Sequence, residues 1–88
     1  MTEKNVTVIN SLGIHARPAS MIVQTAITFK SSIQIMKDGA AADAKSIMSV
    51  MMLAAAQGSA VTVKADGEDE KKAVDAIIEL FNKKFNEE

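Results

Sequence analysis

Apolar and polar residues alternate around Val6 and Val8 in the stretch NVTVIN, which predicts a strand. Gly13 then interrupts the pattern. From Ala16 onward the apolar residues fall at Ala19, Ile22, Val23, Ala26 and Phe29, the spacing of a helix with one buried face. Pro18 sits in its first turn, where a missing N–H costs nothing. Alternation returns in SSIQIMK, with Ile33 and Ile35 on one side, and predicts a second strand. Asp38-Gly39 is a tight-hairpin signal, so a short third strand is expected over Ala40–Asp43.

Ser46 precedes the apolar run IMSVMMLAAAQG, as an N-cap would, and Gly58 is placed to cap its other end. SAVTVKA alternates again, with Val61 and Val63 inward. In DGEDEKKAVDAIIELFNKKF, Val74, Ile77, Ile78, Phe81 and Phe85 form one stripe. Acids crowd the first turn of this helix and Lys83-Lys84 the last, as the helix dipole favours. The order is β-α-β-β-α-β-α in a single domain, 1–88. It predicts an α+β fold, a sheet with all helices on one face. The outward strand positions Thr7, Gln34, Thr62 and Lys64 are polar, as an open second face requires.

Composition narrows the chemistry. The chain has 88 residues, 48% of them hydrophobic, with three Phe, no Tyr, no Trp and six Met. Its core must be mainly aliphatic. No cysteine is present, so disulfides, thiolate nucleophiles and Cys-based metal sites are excluded. One histidine supplies at most one imidazole ligand, and no metal or bound cofactor is expected. Neither a signal peptide nor a membrane-length apolar run is visible, so a cytoplasmic protein without membrane insertion is expected. A net charge of −1 argues against direct nucleic-acid binding. Residues 1–65 carry net +3 and residues 66–88 net −4, so the region around the histidine is mildly basic.

That histidine lies in SLGIHARPAS, with Arg17 and Pro18 close behind it. His15 is expected at the N-cap of the first helix. There the backbone N–H groups of Ala16 and Arg17 have no intrahelical partner and carry the positive end of the dipole. A helix start of this kind suits an anion, and Arg17 adds donors matched to phosphate or carboxylate. Gly13 permits the sharp entry of the chain. A neutral imidazole is nucleophilic, and attack on phosphorus would place the phosphoryl oxygens among these donors. No carboxylate base, metal cluster or P-loop is near in sequence. Such a site would carry a phosphoryl group without hydrolysing it. The same spacing also fits a histidine that merely caps its helix.

GIHARPA followed by KSIM about thirty residues later resembles the HPr family, the histidine-containing phosphocarriers of the bacterial phosphoenolpyruvate-dependent sugar phosphotransferase system. The resemblance runs nearly end to end. It implies an open-faced β-sandwich, a four-stranded antiparallel sheet covered by three helices. It implies a non-catalytic carrier whose His15 takes a phosphoryl group on Nδ1 from phosphorylated enzyme I and passes it to enzyme IIA domains. Arg17 matches the family arginine at the phosphoryl group, and Pro18 the family's helix-start proline. Ser46 matches a serine that an ATP-dependent kinase/phosphorylase modifies in many members. Phosphorylated there, the protein resembles a corepressor of a catabolite control transcription factor. A monomer is expected. The alternative is a regulatory phosphoprotein switched at Ser46, without sugar transport. Leu12, Ser49 and Met52 depart from common family residues and bear on partner preference.

The second helix adds a reading of its own. Ile47, Val50, Met51 and Ala54 have core spacing, whereas Met48, Met52 and Ala55 point elsewhere. A short helix that is apolar on two sides cannot bury both against one sheet. Flexible methionines suit a docking surface. Partner contacts are therefore expected at Ile47, Met48 and Met51, together with Ser20 and Met21 on the first helix.

Overall fold

The computed structural model describes residues 1–87. Its elements follow the expected order: β1 (Thr2–Thr7), α1 (Ala16–Ala26), β2 (Ser32–Lys37), β3 (Ala40–Asp43), α2 (Ile47–Met52), β4 (Ala60–Asp66) and α3 (Glu70–Asn82), then a short turn at Lys84–Asn86. The strands form one antiparallel sheet in the order β1-β4-β2-β3. β4, late in sequence, enters between β1 and β2.

The period-two pattern fixes which face is covered. Ile33, Ile35, Val61, Val63 and Ala65 are buried on the inner face, against Ala19, Ile22 and Ala26 of α1 and Val74, Ile77 and Phe81 of α3. Gln34 and Thr7 are exposed on the other face, and Thr62 and Lys64 are half-buried there. The β2–β3 turn uses the expected Asp38-Gly39 pair, both residues at positive φ (50° and 83°), which matches the twist of a two-residue hairpin. Among the described residues no helix is long and apolar enough to cross a membrane.

Two expected helix ends move. α2 stops at Met52, well before Gly58, because Ala54 takes a left-handed conformation (φ 51°). Lys37 Nζ donates to the freed carbonyls of Leu53 and Ala54 at 3.2 and 3.3 Å, a cap supplied from β2. Gly58 instead donates its N–H to Val8 O at 2.8 Å, tying the following loop to the end of β1. The helical register ends with α2, so the expected stripe fails there: Ala55 is buried and Ala54 exposed.

α3 ends at Asn82, with Lys83 as C-cap, so Lys83-Lys84 do not form its last turn. Lys84, Phe85 and Asn86 all have positive φ (55°, 53° and 60°). This reversal carries Phe85 back into the core, edge-on to Phe81 with ring centroids 4.9 Å apart. It also turns the chain toward the start of α1.

α3 begins after Asp69, whose carboxylate makes no cap bond to its own helix. It accepts from the Lys30 and Ser31 N–H groups at 2.9 and 3.0 Å and from the Ser31 hydroxyl, joining the α1–β2 loop to α3. The Ser31 hydroxyl bond, then the Lys30 N–H, hold the Asp69 carboxyl down to about 2.

Candidate functional site

His15 is the N-cap of α1, with extended backbone (φ −99°, ψ −165°) and no side-chain bond to its own helix. Its carbonyl accepts the Ala19 N–H at 3.0 Å, the first helical bond. The ring is thus free of capping duty. Ala16 and Arg17 follow as the first helical residues, where N–H groups have no intrahelical acceptor. Pro18 is buried in the same turn, as its fixed φ allows.

Gly13 is required for a spatial as well as a conformational reason. Its φ is +68°, and a Cβ there would lie 2.5 Å from the Ala55 carbonyl oxygen. The next residue, Ile14, donates its N–H to that same carbonyl at 2.9 Å. The segment after α2 is therefore the wall against which the histidine loop is built.

Two residues that sequence reasoning missed complete the site. Glu87 reaches His15 from the far end of the chain, with Oε2 2.7 Å from Nε2. Its other oxygen, Oε1, accepts from Asn10 Nδ2 at 2.9 Å. Arg17 lies 3.7 Å from the same carboxylate and donates to Phe85 O at 2.7 Å. Burial pushes the Glu87 carboxyl up, but the bonds from Asn10 and His15 and the nearby charges outweigh it, and the net shift is downward. Glu87 is thus a carboxylate at neutral pH and can only accept. Nε2 must then carry the ring proton. In the neutral imidazole the lone pair lies on Nδ1. No local signal marks Glu87, 72 positions from the histidine. Asn10 leaves a trace, since Asn three residues before Gly is turn chemistry.

Ser46 lies apart from this chemistry. It caps α2, its Oγ accepting the Ser49 N–H at 3.3 Å. The end of α2 that approaches the histidine loop is the opposite one, roughly 9 Å away for six residues of helix. Ile47 and Met51, which share core spacing with Val50 and are expected to meet partners, are each 42% exposed, and Met48 and Met52 reach 74% and 80%. Only Val50 and the following Leu53 anchor this helix. Leu12, 72% exposed on the histidine loop, adds another apolar side chain at the surface. Ser20 and Met21 are half-buried on α1, with Met21 packed against the core.

Residues 2–83 match the PTS-HPr family, described as the PTS HPr component phosphorylation site. The chain belongs to the HPr family of phosphocarrier proteins. The phosphocarrier protein HPr of Xylella fastidiosa (strain Temecula1) is 48% identical over 88 residues, covering 100% of this chain and 99% of that protein. The crystal structure of HPr-C-His from Thermoanaerobacter tengcongensis superposes with a TM-score of 0.96 at 44% identity, covering 100% of this chain and 99% of that one. The fold is therefore that of HPr, and membership places the chain among phosphotransferase-system carriers. A crystal structure of an HPr dimer from the same organism matches at 44% identity with a TM-score of 0.77, covering 97% and 98% of the two chains. HPr relatives thus include a dimeric form, and the expected monomer draws no support from them.

Proposed function

We propose that this HPr protein accepts a phosphoryl group on His15 Nδ1 from phosphorylated enzyme I and delivers it to enzyme IIA domains. The observation that carries this reading is the Nε2–Glu87 contact at 2.7 Å. A carboxylate on the far ring nitrogen fixes the tautomer and stabilises the cation that the ring becomes on reaction, the part a carboxylate plays beneath a catalytic histidine. The Nδ1 lone pair attacks phosphorus. The donor's bond to phosphorus breaks and its electron pair leaves with the donor. Nε2 keeps its proton throughout, so no base is consumed, and onward transfer is the reverse.

Arg17 and the N–H groups of Ala16 and Arg17 supply the donors for the phosphoryl oxygens. Arg17 spends one guanidinium donor on Phe85 O, and its remaining N–H groups are available to these oxygens. The carboxylate that the local sequence lacked is supplied by Glu87, yet it does not make the site a hydrolase. Both of its oxygens are committed, one to Asn10 and one to the nitrogen remote from the reaction. Enzyme I and the IIA domains would dock on Ile47, Met48, Met51, Ser20 and Met21. Phosphorylation of Ser46 by an ATP-dependent kinase would place about −1.5 to −2 charges at the edge of this surface while leaving its helix start intact.

The test is to supply enzyme I and labelled phosphoenolpyruvate and then map the label. Acid-labile label on His15 Nδ1 is expected. Label on another residue, or none, overturns the reading.

A further inference from the structure

Asn10 and Ser31 are the buried polar residues of the described chain. Ser31 is explained by the joint to Asp69. Asn10 is fully buried, and its Nδ2 spends both protons: one on Gly13 O at 2.6 Å and one on Glu87 Oε1 at 2.9 Å. Both partners are pure acceptors, so the orientation of the amide is fixed. Its Oδ1 is then left buried with no hydrogen-bond partner among the described residues. An orphaned buried oxygen costs stability that an apolar residue would not lose. Position 10 therefore carries a cost that its bonds to Gly13 O and Glu87 Oε1 must offset. That carboxylate approaches on a segment with three successive left-handed residues, a conformation that persists only where surrounding contacts hold it.

We propose that Asn10 is a positioning residue for phosphoryl acceptance, acting through Glu87 to hold the proton on His15 Nε2 and the lone pair on Nδ1. This rests on the reading of His15 Nδ1 as the acceptor. Asn10 touches neither the ring nor the reacting atoms. It links the loop that carries His15, through Gly13 O, to the carboxylate that orients the ring, so both move as one unit. When Nδ1 forms its bond to phosphorus, the positive charge gained by the ring faces a carboxylate already in place, and no group has to be recruited.

The experiment is a double-mutant cycle between Asn10→Leu and Glu87→Ala, read in two ways. Side-chain nitrogen NMR of His15 in the unphosphorylated protein reports the tautomer, and single-turnover transfer from phosphorylated enzyme I reports the rate. Wild type is expected as the Nε2–H tautomer. Each single variant should shift the ring toward a mixture and slow transfer roughly tenfold. The double variant should be no slower than Glu87→Ala, because Asn10 acts through that carboxylate. Losses that multiply would mean that Asn10 works through the loop alone, and would overturn the proposal. An unchanged tautomer in Asn10→Leu would also overturn it. If Asn10→Leu does not fold, Asn10→Ser takes its place in the cycle, and Glu87→Ala alone must still shift the tautomer. If wild type takes no phosphoryl group from enzyme I, the carrier reading fails, while the NMR arm still tests the link among the three residues.

Discussion

The starts of α1 and α2 each present a side chain that chemistry could phosphorylate, and they are built in opposite ways. Ser46 is spent on its own helix, capping the Ser49 N–H. His15 occupies the same N-cap position and makes no cap bond; its ring is held by Glu87 from outside the helix. α3 offers a third case, since Asp69 turns its carboxylate away from its helix to bind the α1–β2 loop. A cap bond stabilises a helix but occupies the atom that makes it. Of the three, His15 alone joins a nucleophilic side chain free of capping to open helix N–H groups, as the proposed phosphoryl acceptor requires.

The largest expected effect separates the two starts outright. His15→Ala should abolish phosphoryl uptake from phosphoenolpyruvate through enzyme I, by labelling. Its unfolding free energy should change by no more than about 1 kcal/mol, since the ring contributes one partly exposed hydrogen bond, to Glu87. A larger loss of stability would make His15 a structural residue. Gly13→Ala should be the most damaging change to the fold around α1, costing about 2 kcal/mol or more in denaturant unfolding. It demands both a positive φ and room that Ala55 O already fills.

Ser46 can be tested both as a cap and as the proposed switch beside the docking surface. Ser46→Ala should cost about 1 kcal/mol of stability and leave docking unaffected. Ser46→Asp keeps a capping oxygen, so stability should hold, while affinity for enzyme I falls roughly tenfold in calorimetry at low salt. An aspartate variant that binds as well as wild type would detach Ser46 from the docking surface. The smallest effect concerns acid. Asp69 is held to about 2, below the ordinary carboxylate value near 4. A depressed carboxyl stabilises the fold above its unfolded value and loses that contribution as pH falls toward its folded one. Stability should therefore decline between about pH 4 and pH 2, and Asp69→Asn should flatten that decline in thermal melts.

The elements that could be read in advance are those whose signals are local. Val6, Ile33, Ile35, Val61 and Val63 announce strands by period two, and Asp38-Gly39 announces a turn by its backbone requirement. Gly13, His15, Arg17 and Pro18 lie within six positions, so the helix start they build is legible as one unit. The end of α2 was not legible. No glycine marks it, and the left-handed residue there is Ala54, held by a lysine from β2. Phe85 has helical spacing from Phe81 yet reaches the core through a reversal of the chain. Burial rewards the ring's final position and not the path of the backbone to it.

By itself, then, the sequence determined the order of the elements, the covered face of the sheet, and the placing of an imidazole and a guanidinium at a helix start. These follow from periodicity and from caps, which act over a few residues. Tertiary structure alone set a carboxylate against His15 Nε2, because Glu87 lies 72 positions away and is bonded in turn by Asn10, 77 positions from it. It also decided that Ala54 is exposed and Ala55 buried, because α2 ends at Met52, short of both. Hydrogen bonds and burial act through space, and a chain does not carry in its local pattern the neighbours that folding will bring to it.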